Sequence, residues 1–482
     1  MAGDSRPNVL LFFPDQWRYD CLSGLGHVTD TPYLDQLMAE GVTFTAAYSP
    51  CPSCIATRAS LITGQTPNTC GRIGYQDGIP WPYRNTLMRL LRDGGYQTIN
   101  VGKTHFWPQR ANLGFEVNRL YDPQKLEDPA FVSDYHAWLD RETGGRIRDS
   151  VFEMSSNTWL ANPWVHEERL HPNCWTADVA IEQLVCRDPT RPFFLQVGFH
   201  RPHPPIDPPL SWYERYRDRS LPPVPVGDWA AENDVPASDV GEGASRGRLS
   251  DHQLDRTRRA YYAQCSHLDF QIGRVLNYMR RLAKILENTW VIFTSDHGEL
   301  LGDHHLFRKC NGIEGSAKVP LIVRPPRRFA GPRGVRCDAP VAHQDLLPTV
   351  LEAAGVELPP RVEGRSLLPL AAGQNVPWRQ FVHGEHSDRG WQFVTDGREK
   401  YVWNFMTGQE LFFDLTCDPR ELRNLVADAA CAERVAVWRK RLIDVLAQRP
   451  EDGLSDGQRL IRRAEHLPPY RQWIQEGRDP TV

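Results

Sequence analysis

The chain has 482 residues, 40% hydrophobic and 24% charged, with a formal net charge of −4. That is enough chain for roughly two to four domains and a sizeable core. The charge balance excludes a general nucleic-acid or membrane-surface binder, which would be far more basic, and no apolar run approaches the ~20 residues of a membrane span. The first residues lead directly into an apolar run, with no basic segment and cleavage site before it, so the chain is expected in the cytoplasm. The 11 cysteines are odd in number and scattered, which fits reduced thiols better than a disulfide framework. Only 7 of the 56 basic residues are lysines, so each Lys is informative.

In chain order, short apolar runs at 9–13, 98–101, 193–197 and 290–294 read as strands buried on both faces. Helical patterns lie between them at 33–40, 87–93, 175–184 and 261–282, the first two closed by Gly41 and Gly94. This alternation predicts an α/β domain whose large, mostly parallel sheet is sandwiched by helices. In such sheets ligands bind beyond the carboxyl ends of the strands. Asp15 follows the first run, Lys103 and His105 the second, His200 and His203 the third, and Asp296 and His297 the fourth. One polar residue after a strand is ordinary loop. Four strand ends carrying carboxylates, imidazoles and an ammonium group point to a site. The segment 217–257, rich in Pro, Asp, Gly and Arg, reads as an insertion loop.

A helix over 344–354 ends at Gly355, and the character of the chain changes near 370–378. Runs at 381–383, 391–395, 400–405 and 410–415 read as short antiparallel strands, with turns at Asp396-Gly397 and Thr407-Gly408. A helix over 429–448 follows, with Asp428 as its N-cap. The chain is thus divided into a catalytic α/β domain, 1–375, and a smaller C-terminal α+β domain with a tail, 376–482. Aromatic residues are dense at 72–83, at 106–110 and around Trp159, Trp164 and Trp175. A platform of this kind stacks on a sugar or an aryl group, and core packing accounts for it equally well.

The chemistry concentrates in Cys51-Pro-Ser-Cys54-Ile-Ala56-Thr-Arg58, which runs on to Thr63-Gly64. A thioredoxin-like Cys-x-x-Cys pair is one reading, but it belongs after the first strand of a small βαβ fold and leaves Arg58 and Thr63-Gly64 without a role. The other pattern is Cys, any residue, Pro or Ala, any residue, Arg, then Thr-Gly. On it the chain resembles the type I, formylglycine-dependent sulfatases of the alkaline phosphatase superfamily. Further segments carry the same resemblance: Arg6-Pro-Asn with Asp15, Gly102-Lys103-Thr-His105, Pro202-His203-Pro, Ser295-Asp296-His297-Gly with Lys309, and Asp345-Leu-Leu-Pro-Thr. Most members carry Pro where this chain has Ala56, a position that bears on recognition by the maturation enzyme.

The resemblance implies an alkaline-phosphatase-like fold and hydrolysis of a sulfate monoester, the substrate being a small-molecule or saccharide sulfate, carbohydrate or aryl. Cys54 would be oxidised to formylglycine (3-oxoalanine) by a formylglycine-generating enzyme. Its hydrate carries two hydroxyls on one carbon: one attacks sulfur, and loss of the other's proton expels sulfate. Metal ligands would be Asp15, Gln16, Asp296, His297 and the modified Cys54. Gln16 and His297 stand where many members have Asp and Asn. Ca²⁺ is expected first, with Mn²⁺ as the alternative because imidazole suits transition metals. Arg58 would reach the nucleophile and the metal carboxylates. Lys103 and Lys309 would hold sulfate oxygens, His105 would take the second hydroxyl's proton, and His203 would serve as general acid. His200, His304, His305 and His343 are weaker candidates. With so few lysines, Lys at both motif positions by chance is about one in sixty. A homo-oligomer is compatible with this reading, whereas nucleic-acid and membrane partners are not expected. Two alternatives stay open: a phosphonate monoester or phosphodiester hydrolase of the same superfamily, and an unmatured protein that only binds anions.

Overall fold

A computed structural model describes residues 6–123, 128–149, 154–281, 285–465, 476 and 478–482. The strands are β1 (Asn8–Phe12), β2 (Val42–Phe44), β3 (Ala47–Tyr48), β4 (Gln97–Gly102), β5 (Val117–Leu120), β6 (Phe193–Gly198), β7 (Thr289–Thr294), β8 (Leu321–Arg324), β9 (Val335–Cys337) and β10 (Val341–Ala342). Four more, β11 (Val382–His386), β12 (Trp391–Thr395), β13 (Glu399–Asn404) and β14 (Glu410–Asp414), form a separate antiparallel sheet in that order. The large sheet has the order β5-β4-β6-β1-β7-β8-β2-β9, with β3 and β10 paired outside it. Strands β5 through β7 run parallel, and β8 turns antiparallel to both β7 and β2.

Alternate residues of β1 feed two different cores, which is why the strand reads as continuously apolar. Val9 and Leu11 pack with the helices Cys54–Thr63, Leu87–Asp93 and Leu346–Ala354. Leu10 and Phe12 pack with Pro32–Glu40, Pro172–Cys186 and Asp251–Arg281 on the opposite face. A parallel sheet covered on both faces and carrying a second, smaller sheet is the architecture that the alternation of runs predicts.

Several boundaries differ from the sequence reading. The long helix begins at Asp251, so the last part of segment 217–257 is helical, and the remainder holds the short helices Ala230–Asn233 and Ala237–Val240. Its first turns are exposed and polar, and they carry no apolar period to find. Leu282, where that helix was expected to end, lies outside the described residues, as does much of the tail beyond 450. The helix expected over 344–354 is a 3-10 turn, His343–Asp345, followed by an α-helix from Leu346. Pro348 has no N–H to give to the carbonyl of Gln344, so the regular ladder starts later. Asp428 does accept from Ala430 N, but as the cap of a 3-10 turn, Ala429–Cys431, that precedes the helix Ala432–Ala447. Strands β2, β5, β8 and β9 went unread. They are short, and most side chains of β5 and β9 are only half-buried.

The four-stranded sheet shares a core with the large one: Phe393, Val402, Leu411 and Phe413 pack on Ala46, Tyr48, Ile313 and Ala317. At this seam Lys400 is fully buried. Its Nζ lies 2.5 Å from Glu314 and 3.2 Å from Glu421, and donates to the Gly312 carbonyl at 2.9 Å. Removing one member of such a group strands the others' charge in low dielectric. Lys400→Met is therefore expected to lower unfolding stability by about 3–5 kcal/mol in equilibrium urea denaturation. A loss below about 1 kcal/mol would mean that water reaches this seam.

Candidate active site

The carboxyl ends of β1, β4, β6 and β7 lie side by side, and the loops leaving them supply the polar residues. Asp15 N donates to the Phe199 carbonyl at 2.9 Å and His203 N to the Asp15 carbonyl at 3.1 Å, which ties the first and third loops together. Between β4 and β6 the backbones touch. A Cβ on Gly102, which has φ +101°, would stand 2.0 Å from the Gly198 carbonyl oxygen. Only glycine permits that approach, and it turns the chain so that Lys103 enters the site. Cys54 is the first residue of its helix, capped by an extended Ser53, and every side chain from Cys54 to Thr63 is buried. A nucleophile at a helix N-terminus sits in the positive end of the helix dipole.

Asp15, Cys54, Asp296 and His297 each offer one ligand atom, and these atoms all lie within 4.8 Å of one another, fully buried. His297 Nδ1 donates to the Gly298 carbonyl at 3.0 Å, so Nε2 carries the lone pair and faces Cys54 Sγ at 3.1 Å. Burial pushes the His297 pKa down to about 4 despite Asp296, keeping the imidazole neutral. Three cations face the two carboxylates. Lys103 Nζ is 2.5 Å from Asp15 Oδ2, and Arg58 Nη2 donates to Asp296 Oδ2 at 3.0 Å while lying 3.8 Å from Asp15. Lys309 Nζ donates to Gln16 Oε1 at 2.5 Å and lies 3.6 Å from Cys54 Sγ. Burial alone would raise the Asp15 pKa. Lys103, with Lys309 adding to it, holds it well below the ordinary carboxylate value, so Asp15 is ionised.

His203 donates from Nδ1 to the Pro204 carbonyl at 2.9 Å, and burial followed by Lys309 holds its pKa well below the ordinary imidazole value. His105 stands outside the four-residue cluster, its Nε2 3.6 Å from Asp77 Oδ2 and its ring edge-on to Tyr75. The weaker histidine candidates take structural bonds. His200 meets Arg201, His304 accepts from Gly227 N, and His343 Nε2 lies 2.8 Å from the Ser295 carbonyl. His305 contributes its backbone, accepting from Gly247 N and donating to the Gly302 carbonyl. The tryptophans singled out in the sequence do not form a platform. Trp164 and Trp175 lie in one core cluster and Trp159 in another, all nearly fully buried.

Two buried carboxylates absent from the sequence reading position the site. Glu299 accepts from Leu301 N at 2.8 Å, from Arg308 N at 2.6 Å and from the Gln16 amide, fixing both Gln16 and the loop that carries Lys309. Asp122 accepts from Thr104 N and Oγ1 and from His105 N, holding the loop after β4. Asp122 obeys the strand-end rule used for the others, but β5 is too polar to read as a strand. Glu299 lies three residues past Asp296 in an Asp-His-Gly-Glu segment, and that spacing was its only signal.

The family model "Sulfatase" matches residues 7–356, and the model "N-sulphoglucosamine sulphohydrolase, C-terminal" matches 302–448. The chain belongs to the sulfatase family. It is a sulfuric ester hydrolase of the alkaline phosphatase superfamily. A relative described as "Arylsulfatase", from Clostridium perfringens (strain 13 / Type A), is 38% identical over 471 residues, covering 95% of this chain and 98% of the relative. The "Multifunctional alkaline phosphatase superfamily protein PehA" of Trinickia caryophylli is 29% identical, covering 91% and 95%. Among solved structures, the phosphonate monoester hydrolase of Agrobacterium radiobacter superposes with a TM-score of 0.78 at 26% identity, covering 92% of this chain and 96% of that one. The enzyme's Cys54 lies within the buried four-residue cluster. Two carboxylates, a neutral imidazole nitrogen turned inward and a side chain at residue 54 form a donor set that fits a divalent cation. Among the described residues no helix is long and apolar enough to cross a membrane.

In its thiol form Cys54 is a poor nucleophile. Burial, then Asp15, push its pKa up to about 12, so the thiolate is scarce at neutral pH. Each unit of pKa above pH removes a further tenfold of thiolate. Unmodified Cys54 in the folded, chelator-treated protein is expected to react with iodoacetamide at pH 7 ~1000-fold more slowly than after unfolding. Equal rates, followed by peptide mapping, would contradict this environment.

Proposed function

We propose that the enzyme cleaves sulfate monoesters of carbohydrate or aryl alcohols through a formylglycine made from Cys54. The observation that carries this reading is the placement of Cys54 at a buried helix N-terminus, with Lys309, His297 and Asp15 around its Sγ. A divalent metal would be held by Asp15, Gln16, Asp296, His297 and residue 54, with Ca²⁺ first and Mn²⁺ second. When bound, it supplies charge that lowers the pKa of the attacking hydroxyl and steadies a sulfate oxygen.

The chain's own residues supply the rest. Lys103 and Lys309 place point charges on sulfate oxygens. Arg58, stacked over the Phe13 ring at 4.7 Å, holds Asp296 and keeps residue 54 in register one helical turn away. His203 is neutral before substrate arrives. A bound sulfate offsets the lysine charges that depress it, so the imidazole takes up a proton and can give it to the leaving alcohol. His105, turned toward Asp77, takes the proton whose loss expels sulfate. Ala56 lies inside the helix, and its maturation partner would be a formylglycine-generating enzyme.

A second reading has specific support. The solved phosphonate monoester hydrolase of Agrobacterium radiobacter shares the fold over nearly the whole chain, and phosphonate and sulfate monoesters are alike in size and charge. One experiment tests both readings and the lysine roles: kcat on an aryl sulfate and on an aryl phosphonate, for wild type, Lys103→Arg and Lys309→Arg. Wild type is expected to favour the sulfate. Each variant is expected to lose ~100-fold in kcat, because a wide planar guanidinium displaces sulfur from the nucleophile while keeping the charge. Lys440→Arg, exposed and paired with Asp444, is the control; Lys284, also expected on a helix surface, lies outside the described residues. Preference for the phosphonate would transfer the enzyme to the second reading, and near-wild-type turnover in both variants would leave only net charge at these positions.

A further inference from the structure

Lys309 belongs to two places at once. Its Nζ reaches Cys54 Sγ and Gln16, and the residue also lines a cavity of about 430 Å³. That volume lies in the range that holds a sugar ring. The lining is strongly cationic: Arg246, Arg308, Lys309 and Arg389 stand around it, against the single carboxylate of Glu232.

Several buried arginines elsewhere in this chain meet carboxylates. Arg18 meets Asp20 and Asp303, Arg201 meets Asp207, Arg324 meets Glu40, and Arg449 meets Glu385 and Asp452. The half-buried Arg308 and the exposed Arg389, which share this cavity, have no such contact. Among the described residues neither guanidinium has a carboxylate at ion-pair distance, and the buried Arg308 Nε has no hydrogen-bond acceptor. Burial pushes the Arg308 pKa down and Arg389 adds to it, against the opposing pull of Glu299. Two guanidinium groups on one cavity, one of them with an unmet buried donor, make an arrangement that an external oxyanion satisfies. The backbone supports the placement. Arg308 and Cys310 flank Lys309 with φ of +67° and +78°, values that non-glycine residues adopt at a cost. Glu299 pins Arg308 N at 2.6 Å, so the loop is held in that conformation.

The same cavity has two half-buried indoles, Trp229 and Trp391, which the sequence reading did not single out. Trp229 is fixed by its Nε1 donating to the Glu421 carbonyl at 2.7 Å and by packing on His304 at 4.6 Å. Indole faces beside cationic donors suit a ring that is apolar on one side and charged at its edge.

We propose that this cavity is a second anion subsite, in which Arg308 and Arg389 bind an additional oxyanion, a carboxylate or a second sulfate, carried on the sugar whose sulfate ester is cleaved at residue 54. The proposal deepens the sulfatase reading and rests on it for the direction of the substrate. Lys309 stands between the two anions, which fixes their order along the ligand. A general electrostatic funnel would instead favour every anion alike.

The test is competition against 4-nitrophenyl sulfate turnover by two matched pairs: glucosamine 2-N,6-O-disulfate against N-acetylglucosamine 6-sulfate, and glucuronic acid 2-sulfate against glucose 2-sulfate. In wild type at least one dianion is expected to have an inhibition constant tenfold or more below its monoanionic match, and the pair that shows it identifies the second group as sulfate or carboxylate. In the double variant Arg308→Gln/Arg389→Gln that ratio is expected to fall to twofold or less, with the melting temperature confirming a folded protein. Ratios near one for both pairs in wild type, or a ratio unchanged in the double variant, would overturn the subsite. If wild type releases sulfate from neither 4-nitrophenyl sulfate nor any of the four sulfated sugars, the sulfatase reading itself fails. The same four ligands titrated by calorimetry then decide the subsite separately.

Discussion

Two carboxylates and three cations are packed together at the ends of four parallel strands, and the Asp15–Lys103 contact is the centre of that arrangement. Burying Asp15 costs several kcal/mol unless opposite charge comes with it. Lys103 supplies the charge from the end of β4 and Lys309 from the loop after β7, and Arg58 of the Cys54 helix lies 3.8 Å away, so three separate segments converge on one ionised aspartate. That requirement accounts for the details around it: the glycine contact between β4 and β6, the bond from His203 N to the Asp15 carbonyl, and the carboxylates of Glu299 and Asp122 behind the two lysine loops. The same charges that keep Asp15 ionised are the ones an incoming sulfate would meet.

The smaller sheet takes part in this centre rather than standing apart from it. Glu385 N donates to the Pro50 carbonyl and Ser387 N to the Ile73 carbonyl, so β11 is sewn to the segments on either side of Cys54. His386 at the end of β11 is fully buried, and its pKa is pushed down to about 3 by burial, then by Arg389, with smaller parts from His297 and Lys309. Arg389 and Trp391 follow directly and reach the cavity beside Lys309. The loops of the large sheet thus carry the buried Cys54 cluster, and the small sheet adds Arg389 and Trp391 to the wall of the neighbouring cavity.

Much of this centre was legible in the sequence because its residues obey two strong rules. Asp15, Lys103, His203 and Asp296 follow apolar runs that can only be buried strands, and Cys54 with Arg58 carries a spaced motif. Legibility failed where local pattern and tertiary role diverge. Helix Asp251–Arg281 starts with an exposed polar turn, and β5 is an edge strand with one buried side chain. Trp159, Trp164 and Trp175 are close in sequence to the expected substrate region, yet they are core. Trp229 and Trp391 come from segments 162 positions apart and meet only through the fold. The unpaired state of Arg308 and Arg389 is likewise invisible in a chain with 49 arginines, since a missing partner is a property of three-dimensional packing.

The account turns on residue 54 being something other than a thiol when the enzyme works. Burial and Asp15 push the Cys54 thiol up to about 12, so thiolate is scarce at neutral pH, whereas a hydrated aldehyde carries a second hydroxyl whose proton loss releases the sulfate. Peptide mass spectrometry of the fraction active on a sulfate ester measures this directly. The account predicts formylglycine at position 54, in proportion to specific activity. Full activity in protein whose residue 54 is intact cysteine would contradict it.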